Sequence, residues 1–375
     1  MAGIYIHIPY CKQKCIYCDF YFRTNQSDKL MLLKCINQEI KIRKDYLLGE
    51  QINSIYLGGG TPSIISVEEI NSIIKTIYNN FEVCENIEIT VECNPDNLNL
   101  KYLNNLVNSQ VNRLSIGVQS FNNNDLRLLK RAHDSEKAIN SIKMAQDLGF
   151  SNITIDLIYG IPNQGEKKWA INLKYIKELN IPHFSAYSLT VESNTKLYHL
   201  VKNKKIVTEN DDVIANQFHH LTSFAEKNNF IHYEISNFGK EGFFSNHNTS
   251  YWKNKKYLGI GPSAHSFNHK TRQCNISSNK KYIDGIINNN TYFEIEHLTE
   301  NQQYNEYILT SLRTMWGADK FFIKNKFDLK TYKYFDLQVK KWEKQEKVIK
   351  KGSRYILTSK GKLYADAIAA DLFIV

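Results

Sequence analysis

The chain has 375 residues, 42% of them hydrophobic, and a formal net charge of +10, enough length for one large domain beside a smaller one. No apolar run reaches the ~18 residues of a membrane span, and Met1-Ala2-Gly3 leads into an alternating apolar segment rather than a basic-then-apolar leader. Seven cysteines, an odd number, fit a reducing compartment better than a disulfide framework, so the expected location is cytoplasmic.

The first predicted element is a strand from Ile4 to Ile8. Directly behind it Cys11, Cys15 and Cys18 form C-x3-C-x2-C in the run IHIPYCKQKCIYCDFYF. Three thiolates on a short loop can hold three corners of a [4Fe-4S] cube, whereas sites that only pass electrons supply four. One iron is then left open for a small-molecule ligand. Zinc is the competing reading, but it needs a fourth Cys or His at a typical spacing, and the chain has no second C-x2-C pair. Cys35, Cys84, Cys93 and Cys274 read as unpaired packing residues.

Strands then alternate with helices every thirty to forty residues or so, the βα rhythm of a parallel sheet. The predicted strands are Ser54 to Leu57, Ile87 to Glu92, Arg113 to Val118, Ile153 to Ile158 and Phe184 to Leu189. Helical patterns include Ser27 to Leu48, Val67 to Asn79 and Glu136 to Leu148. Six parallel strands with right-handed crossovers make a curved, partly open (β/α)6 barrel whose chemistry gathers at the carboxyl ends of the strands. Strand two ends in Leu57-Gly58-Gly59-Gly60-Thr61-Pro62-Ser63, where the glycines let the backbone approach a ligand. Alternation aims Glu92, Gln119 and Asp156 at the barrel interior. A buried carboxylate or amide needs a partner, and three on one mouth suggest a polar ligand rather than three separate structural contacts.

A further strand-like segment runs from Ile231 to Phe238. Beyond about Ile283 the pattern changes to helix (Glu300 to Met315), helix (Leu329 to Lys344), strand (Ser353 to Thr358) and a final helix (Lys360 to Leu372) capped by Thr358 or Ser359. This order suggests a small winged-helix-like module, a lid or docking element rather than a nucleic-acid reader, because the final helix is rich in alanine. The predicted domains are 1–240, a connecting rim 241–282, and 283–375. Lysine is spread along the chain, and its densest run, Lys340 to Arg354, includes Glu343 and Glu346. The charge therefore reads as a solvated surface that leaves room for peripheral contact with an anionic membrane, and no nucleic-acid partner is expected.

The segments YIHIPYCKQKCIYCDF, YLGGGTPS, ITVECNPDN, RLSIGVQSFN, LKRAHD and IDLIYGIPNQ occur in order over residues 1 to about 165. Together they resemble the radical SAM superfamily, and within it the oxygen-independent coproporphyrinogen III oxidase family. The resemblance implies that S-adenosylmethionine (SAM) ligates the open iron through its amino and carboxylate groups. It also implies an electron donor for the cluster. By the same resemblance Tyr5, Gly59, Gly60, Thr61, Glu92, Gln119, Arg131 and Asp156 are SAM-contacting positions.

That family has an oxidase branch and a heme-chaperone branch. The oxidases carry a further cysteine two residues after the triad, where this chain has Phe20, and a longer amino-terminal extension. The CDF sequence, YEISNFG, YLGIGPSAHS, and His247-Asn248-Thr249-Ser250-Tyr251-Trp252, which matches HNxxYW, are similar to the HemW branch. This resemblance implies heme as a ligand and heme-recipient proteins, respiratory ones among them, as partners. A neutral imidazole is a common axial donor, so His247 is the first candidate heme ligand, against the alternative of a core or capping histidine. His7, His133, His232, His265 and Cys274 follow. The competing functions are SAM-dependent decarboxylation of coproporphyrinogen III propionates, for which Phe20 is the obstacle, and another radical SAM reaction with a different substrate.

Overall fold

The computed structural model describes residues 1–375. One sheet of twelve strands organises the first 297 residues. Six of them, β1 (Ala2–Ile8), β2 (Ile52–Gly59), β3 (Val83–Cys93), β4 (Arg113–Gln119), β5 (Ile153–Tyr159) and β6 (His183–Ser188), pair in sequence order and all in parallel. They are the six expected strands. Their residues are buried almost without alternation, as in β1, where only Tyr5 is less than fully covered, because helices pack on the outer face and side chains fill the inner one. The crossover helices Lys29–Ile42, Val67–Tyr78, Leu100–Val107, Ser135–Asp147 and Gly165–Glu178 bury their apolar stripes in a core of 57 residues. A capping box starts Val67–Tyr78: Ser66 Oγ accepts from the Glu69 N–H, and Glu69 accepts from the Ser66 N–H.

The sheet extends past the six strands at both edges. Beside β6 stands an antiparallel hairpin of β7 (Ile231–Glu234) and β8 (Asn237–Gly239), so the single strand expected from Ile231 to Phe238 turns back on itself at Ile235-Ser236. The turn is held by Glu234, whose Oε2 accepts from the Ser236 N–H and from Asn237 Nδ2. Beside β1, β9 (Tyr257–Ile260) pairs in parallel, followed by antiparallel β10 (His265–Phe267), β11 (Thr271–Asn275) and β12 (Phe293–His297). The helix expected from Ser27 to Leu48 ends at Ile42, and the chain then turns through Leu48 and Gly49 at positive φ.

A second core of 14 buried residues runs from Tyr304 to Leu372. It packs helices Glu300–Leu312, Lys320–Lys326 and Leu329–Lys344 against β13 (Ala318–Asp319), β14 (Val348–Lys351) and β15 (Arg354–Leu357), ordered β13-β15-β14. The predicted boundary at 283 falls too early. Tyr282, Ile286 and Tyr292 belong to the first core and β12 to the main sheet. The final helix is also divided, into Ser359–Lys362 and Ala365–Asp371. Gly361 lies so close to the Lys347 carbonyl that a Cβ there would overlap its oxygen, and Leu363 and Tyr364, at the break, line the barrel mouth.

Candidate functional site

A cavity of about 960 Å³ opens at the carboxyl ends of β1 to β6. The loop after β1 brings Cys11, Cys15 and Cys18 to its wall. The base of that loop is clipped shut, with the Cys11 N–H donating to the Arg23 carbonyl at 3.0 Å and the Arg23 N–H to the Pro9 carbonyl at 2.7 Å. Its far side is tied down by Gln13 Nε2 on the Lys130 carbonyl (2.7 Å) and by Lys12 on Asp96 (2.8 Å). The three sulfurs stay partly exposed and do not close on a common point as ligands of one ion would. Burial pushes the Cys11 thiol up and the Cys18 thiol up to about 11, so iron must displace protons as it binds.

The end of β2 is bonded directly onto this loop. The Gly60 N–H donates to the Ile8 carbonyl (2.9 Å) and the Thr61 N–H to the Tyr10 carbonyl (2.8 Å), while Thr61 Oγ1 lies 3.5 Å from Cys11 Sγ. Gly59 has φ +109°, and a Cβ there would meet the His7 ring at 2.6 Å. From β3, Glu92 accepts from Tyr56 Oη (2.8 Å) and from the Gly59 N–H (3.1 Å). Burial raises its pKa to about 7 against the opposing bond from Tyr56. At the end of β4 the register slips and Gln119 adopts φ +67°, a bulge that re-aims its side chain. Asp156 of β5 accepts from Ser115 Oγ at 3.3 Å, and burial raises it too, countered by Ser185 and Arg113.

Arg131 reaches across this floor. Its Nη2 donates to Asn94 Oδ1 (2.6 Å) and to the Gly117 carbonyl (2.8 Å), and its Nη1 lies 3.5 Å from Cys15 Sγ. Burial disfavours its charge, but Tyr17 and Cys15 more than offset that and its pKa rises. Its buried Nε has no protein partner. The structure therefore brings together the three cysteines, Gly59, Gly60, Thr61, Glu92, Gln119, Arg131 and Asp156. Tyr5 stands outside the cavity wall, its ring stacked on Tyr56 and its hydroxyl 3.1 Å from His7 Nδ1.

His247 is placed elsewhere, which corrects its expected role. It is 1% exposed, with Nδ1 2.9 Å from Ser54 Oγ and Nε2 2.7 Å from Tyr251 Oη. Both ring nitrogens are engaged, and burial lowers its pKa to about 3. The helix it starts, Asn246–Trp252, plugs the barrel interior near the amino ends of the strands, where Glu88 of β3 accepts from the Asn246 and His247 N–H groups. His247 is thus a packing residue and offers no free lone pair to a cavity.

Sequence reasoning gave no role to Asn94, Tyr56, Arg113, Ser115 or Ser185, all of which line the cavity. Asn94 had a legible signal, since it is the first residue after β3 and so falls at the carboxyl end of the strand, where the chemistry of such a barrel gathers. The segment from Lys362 to Ala367 closes one side of the mouth, a contact between domains that no local pattern encodes.

The model of the radical SAM superfamily matches residues 5–193, half of the chain. The proteins named heme chaperone HemW from Bacillus subtilis and Lactococcus lactis subsp. lactis are each 32% identical to it. The first covers 98% of both chains, the second 95% of this chain and 93% of its own. The chain belongs to the HemW family of the radical SAM superfamily. Coproporphyrinogen III oxidase (HemN) from Escherichia coli shares the fold, with a TM-score of 0.84 and 24% identity, over 99% of this chain and 90% of its own. The superfamily's [4Fe-4S] cluster and SAM suit the residues of this HemW-family site. Three thiols at one wall leave an iron open, Glu92 and Asp156 are acceptors for hydroxyl and amino groups, and the fork of Arg131 keeps an unpaired N–H.

Proposed function

We propose that this chain is a heme chaperone that carries a [4Fe-4S] cluster and SAM at the barrel mouth and delivers heme to recipient proteins, respiratory heme proteins among them. The observation that carries this reading is the end-to-end relation to proteins named heme chaperone HemW, which spans both domains and not only the barrel. Phe20 supports it against the oxidase alternative. It is 70% exposed at the cavity wall, where the oxidase pattern has a cysteine.

In this reading Cys11, Cys15 and Cys18 hold the cluster, which when bound supplies an electron to SAM. Arg131 is the partner for the SAM carboxylate, Glu92 and Asp156 accept from its amino and ribose groups, and Gly59, Gly60 and Thr61 fix the distance between the second strand and the cysteine loop. The segment 362–367 limits access of water to the mouth. Seven unpaired cysteines support a cytoplasmic location, and no helix is long and apolar enough to cross a membrane. An electron donor for the cluster, and peripheral contact with an anionic membrane through the excess of lysine, complete the proposed partners.

The test is transfer. Heme-loaded protein is mixed anaerobically with the heme-free form of a respiratory heme protein, and the recipient's own absorption spectrum is followed. The chaperone reading requires that spectrum to grow as the donor's fades. No transfer, together with SAM-dependent conversion of coproporphyrinogen III, would replace it with the oxidase.

A further inference from the structure

A second cavity, of about 930 Å³, lies away from the barrel mouth, between the β10–β11 turn of the main sheet and the carboxy-terminal domain. Its size falls within the roughly 300–1,000 Å³ of small-molecule sites. The helix Asn246–Trp252 is shared between the two cavities. Asn248 faces the first, His247 is sealed in the core, and Trp252 with the following Lys253 faces the second.

Six aromatic side chains stand among the polar and charged residues that line the second cavity. Tyr307 and Phe322 stack at 4.3 Å, Phe327 stands edge-on to Phe322, and Phe267, Trp252 and Trp316 line the remainder. Some of this surface is left uncovered, Phe322 being 40% and Leu48 81% exposed. Flat apolar walls open to solvent are a cost unless a ligand covers them.

The charges around the cavity are out of balance. Its two carboxylates are already paired, Glu306 with Arg272 and Asp319 with Arg354 at 3.6 Å. Lys253, Lys270 and Lys326 also line it, and no carboxylate lies within ion-pair distance of any of the three. Lys253 sits 4.2 Å from the centre of the Trp316 ring. The surplus of positive charge suits a ligand that carries more than one anionic group.

One residue in the wall has a free donor atom of the right kind. His269 lies at the tip of the β10–β11 turn, edge-on to Phe267, and neither ring nitrogen has a hydrogen-bond partner in the protein. The turn is firm: Asn268 Oδ1 accepts from the Lys270 N–H (3.1 Å) and from the Thr271 N–H (2.8 Å). Its φ of +74° is one that histidine adopts more readily than most residues. Burial, then the charge of Lys256, lowers its pKa, which favours the neutral imidazole that ligates iron.

We propose that this second cavity is the heme site, with His269 as the iron ligand, the aromatic walls against the macrocycle, and Lys253, Lys270 and Lys326 facing the propionates. The proposal rests on the heme-chaperone reading and locates its cargo about a different set of residues from those that hold SAM.

The test is a pair of anaerobic titrations of the full-length protein, with heme and with iron-free protoporphyrin IX. They are run on the parent, on His269→Asn, which tolerates the left-handed backbone, and on Lys253→Glu/Lys270→Glu/Lys326→Glu. His269→Asn shifts the heme absorption band and weakens heme binding about tenfold, yet leaves protoporphyrin affinity unchanged. The triple variant weakens both ligands by about tenfold or more. Thermal unfolding checks each fold, and Lys270→Glu alone, at an exposed position, substitutes for a triple variant that does not fold. If the parent binds heme saturably and the variants match it in spectrum and affinity, the site is refuted while the chaperone reading stands. If the parent shows no saturable heme binding, both fall.

Discussion

Arg131 and Cys15 approach to 3.5 Å, guanidinium nitrogen to sulfur, while the same side chain is bonded to Asn94 and Gly117. One residue from the segment after β4 thereby couples the cysteine loop to the ends of β3 and β4. A lysine cannot reproduce a planar fork that meets three partners at once. Arg131→Lys is expected to keep the cluster but to weaken SAM binding by about tenfold or more, given roughly 1.5–3 kcal/mol for a charge-assisted bond. Calorimetry of SAM binding to the reconstituted variant checks this, and unchanged affinity would remove Arg131 from the SAM site.

Gly60→Val is expected to damage the cluster rather than SAM binding alone. A Cβ on Gly60 would stand 2.7 Å from the Tyr10 carbonyl oxygen and 2.8 Å from its nitrogen, so the loop carrying Cys11 must move. Iron and sulfide content after reconstitution should fall well below the parent's. Full content with lost SAM affinity would instead mean that the missing side chain leaves room for the ligand.

Cys11→Ala, Cys15→Ala and Cys18→Ala should each lose the cluster and keep the fold. No other thiol sits on the cysteine loop: Cys93 reaches the same cavity but is 3% exposed with its Sγ on the Val91 carbonyl, Cys35 is buried in the main core, Cys84 stands at the amino end of β3, and Cys274 lies on β11 beside His265. The checks are iron analysis and thermal unfolding, and retention of a full cluster in any single variant would displace that cysteine from the ligand set.

The barrel was legible in the sequence because β1 to β5 are short runs rich in Ile, Val and Leu spaced by helical patterns, and the ligand-facing residues fall at or near their carboxyl ends. Glu92, Asp156 and the glycines of β2 lie where alternation puts them. His247 was misread because a motif names residues without saying which face they take. Only packing shows that Ser54 and Tyr251 occupy its two nitrogens. The segment that carries the last helix packs Gly361 against the Lys347 carbonyl, and the second cavity joins residues as far apart as Leu48 and Arg354. Neither is a local pattern.

His247 also sets a pH dependence of stability. Burial lowers its folded pKa to about 3 from the 6.5 of an exposed imidazole. The unfolded chain thus takes up a proton that the folded one refuses. The stabilisation is complete above the unfolded pKa and is lost as pH falls from there toward the folded one, about 2 kcal/mol by pH 5. Urea unfolding at pH 7 and pH 5 should show His247→Gln less stable than the parent at pH 7, with the pH-induced loss smaller by about that amount. An equal loss in both would place the ionisation elsewhere. The same variant should still bind heme.

The most direct single measurement is an anaerobic titration of cluster-loaded protein with heme, paired on the same preparation with an assay for conversion of coproporphyrinogen III in the presence of SAM. A heme carrier gives a saturable absorption band at about one heme per chain and leaves coproporphyrinogen III unchanged. Conversion of coproporphyrinogen III without saturable heme binding would contradict it and make the chain an oxidase.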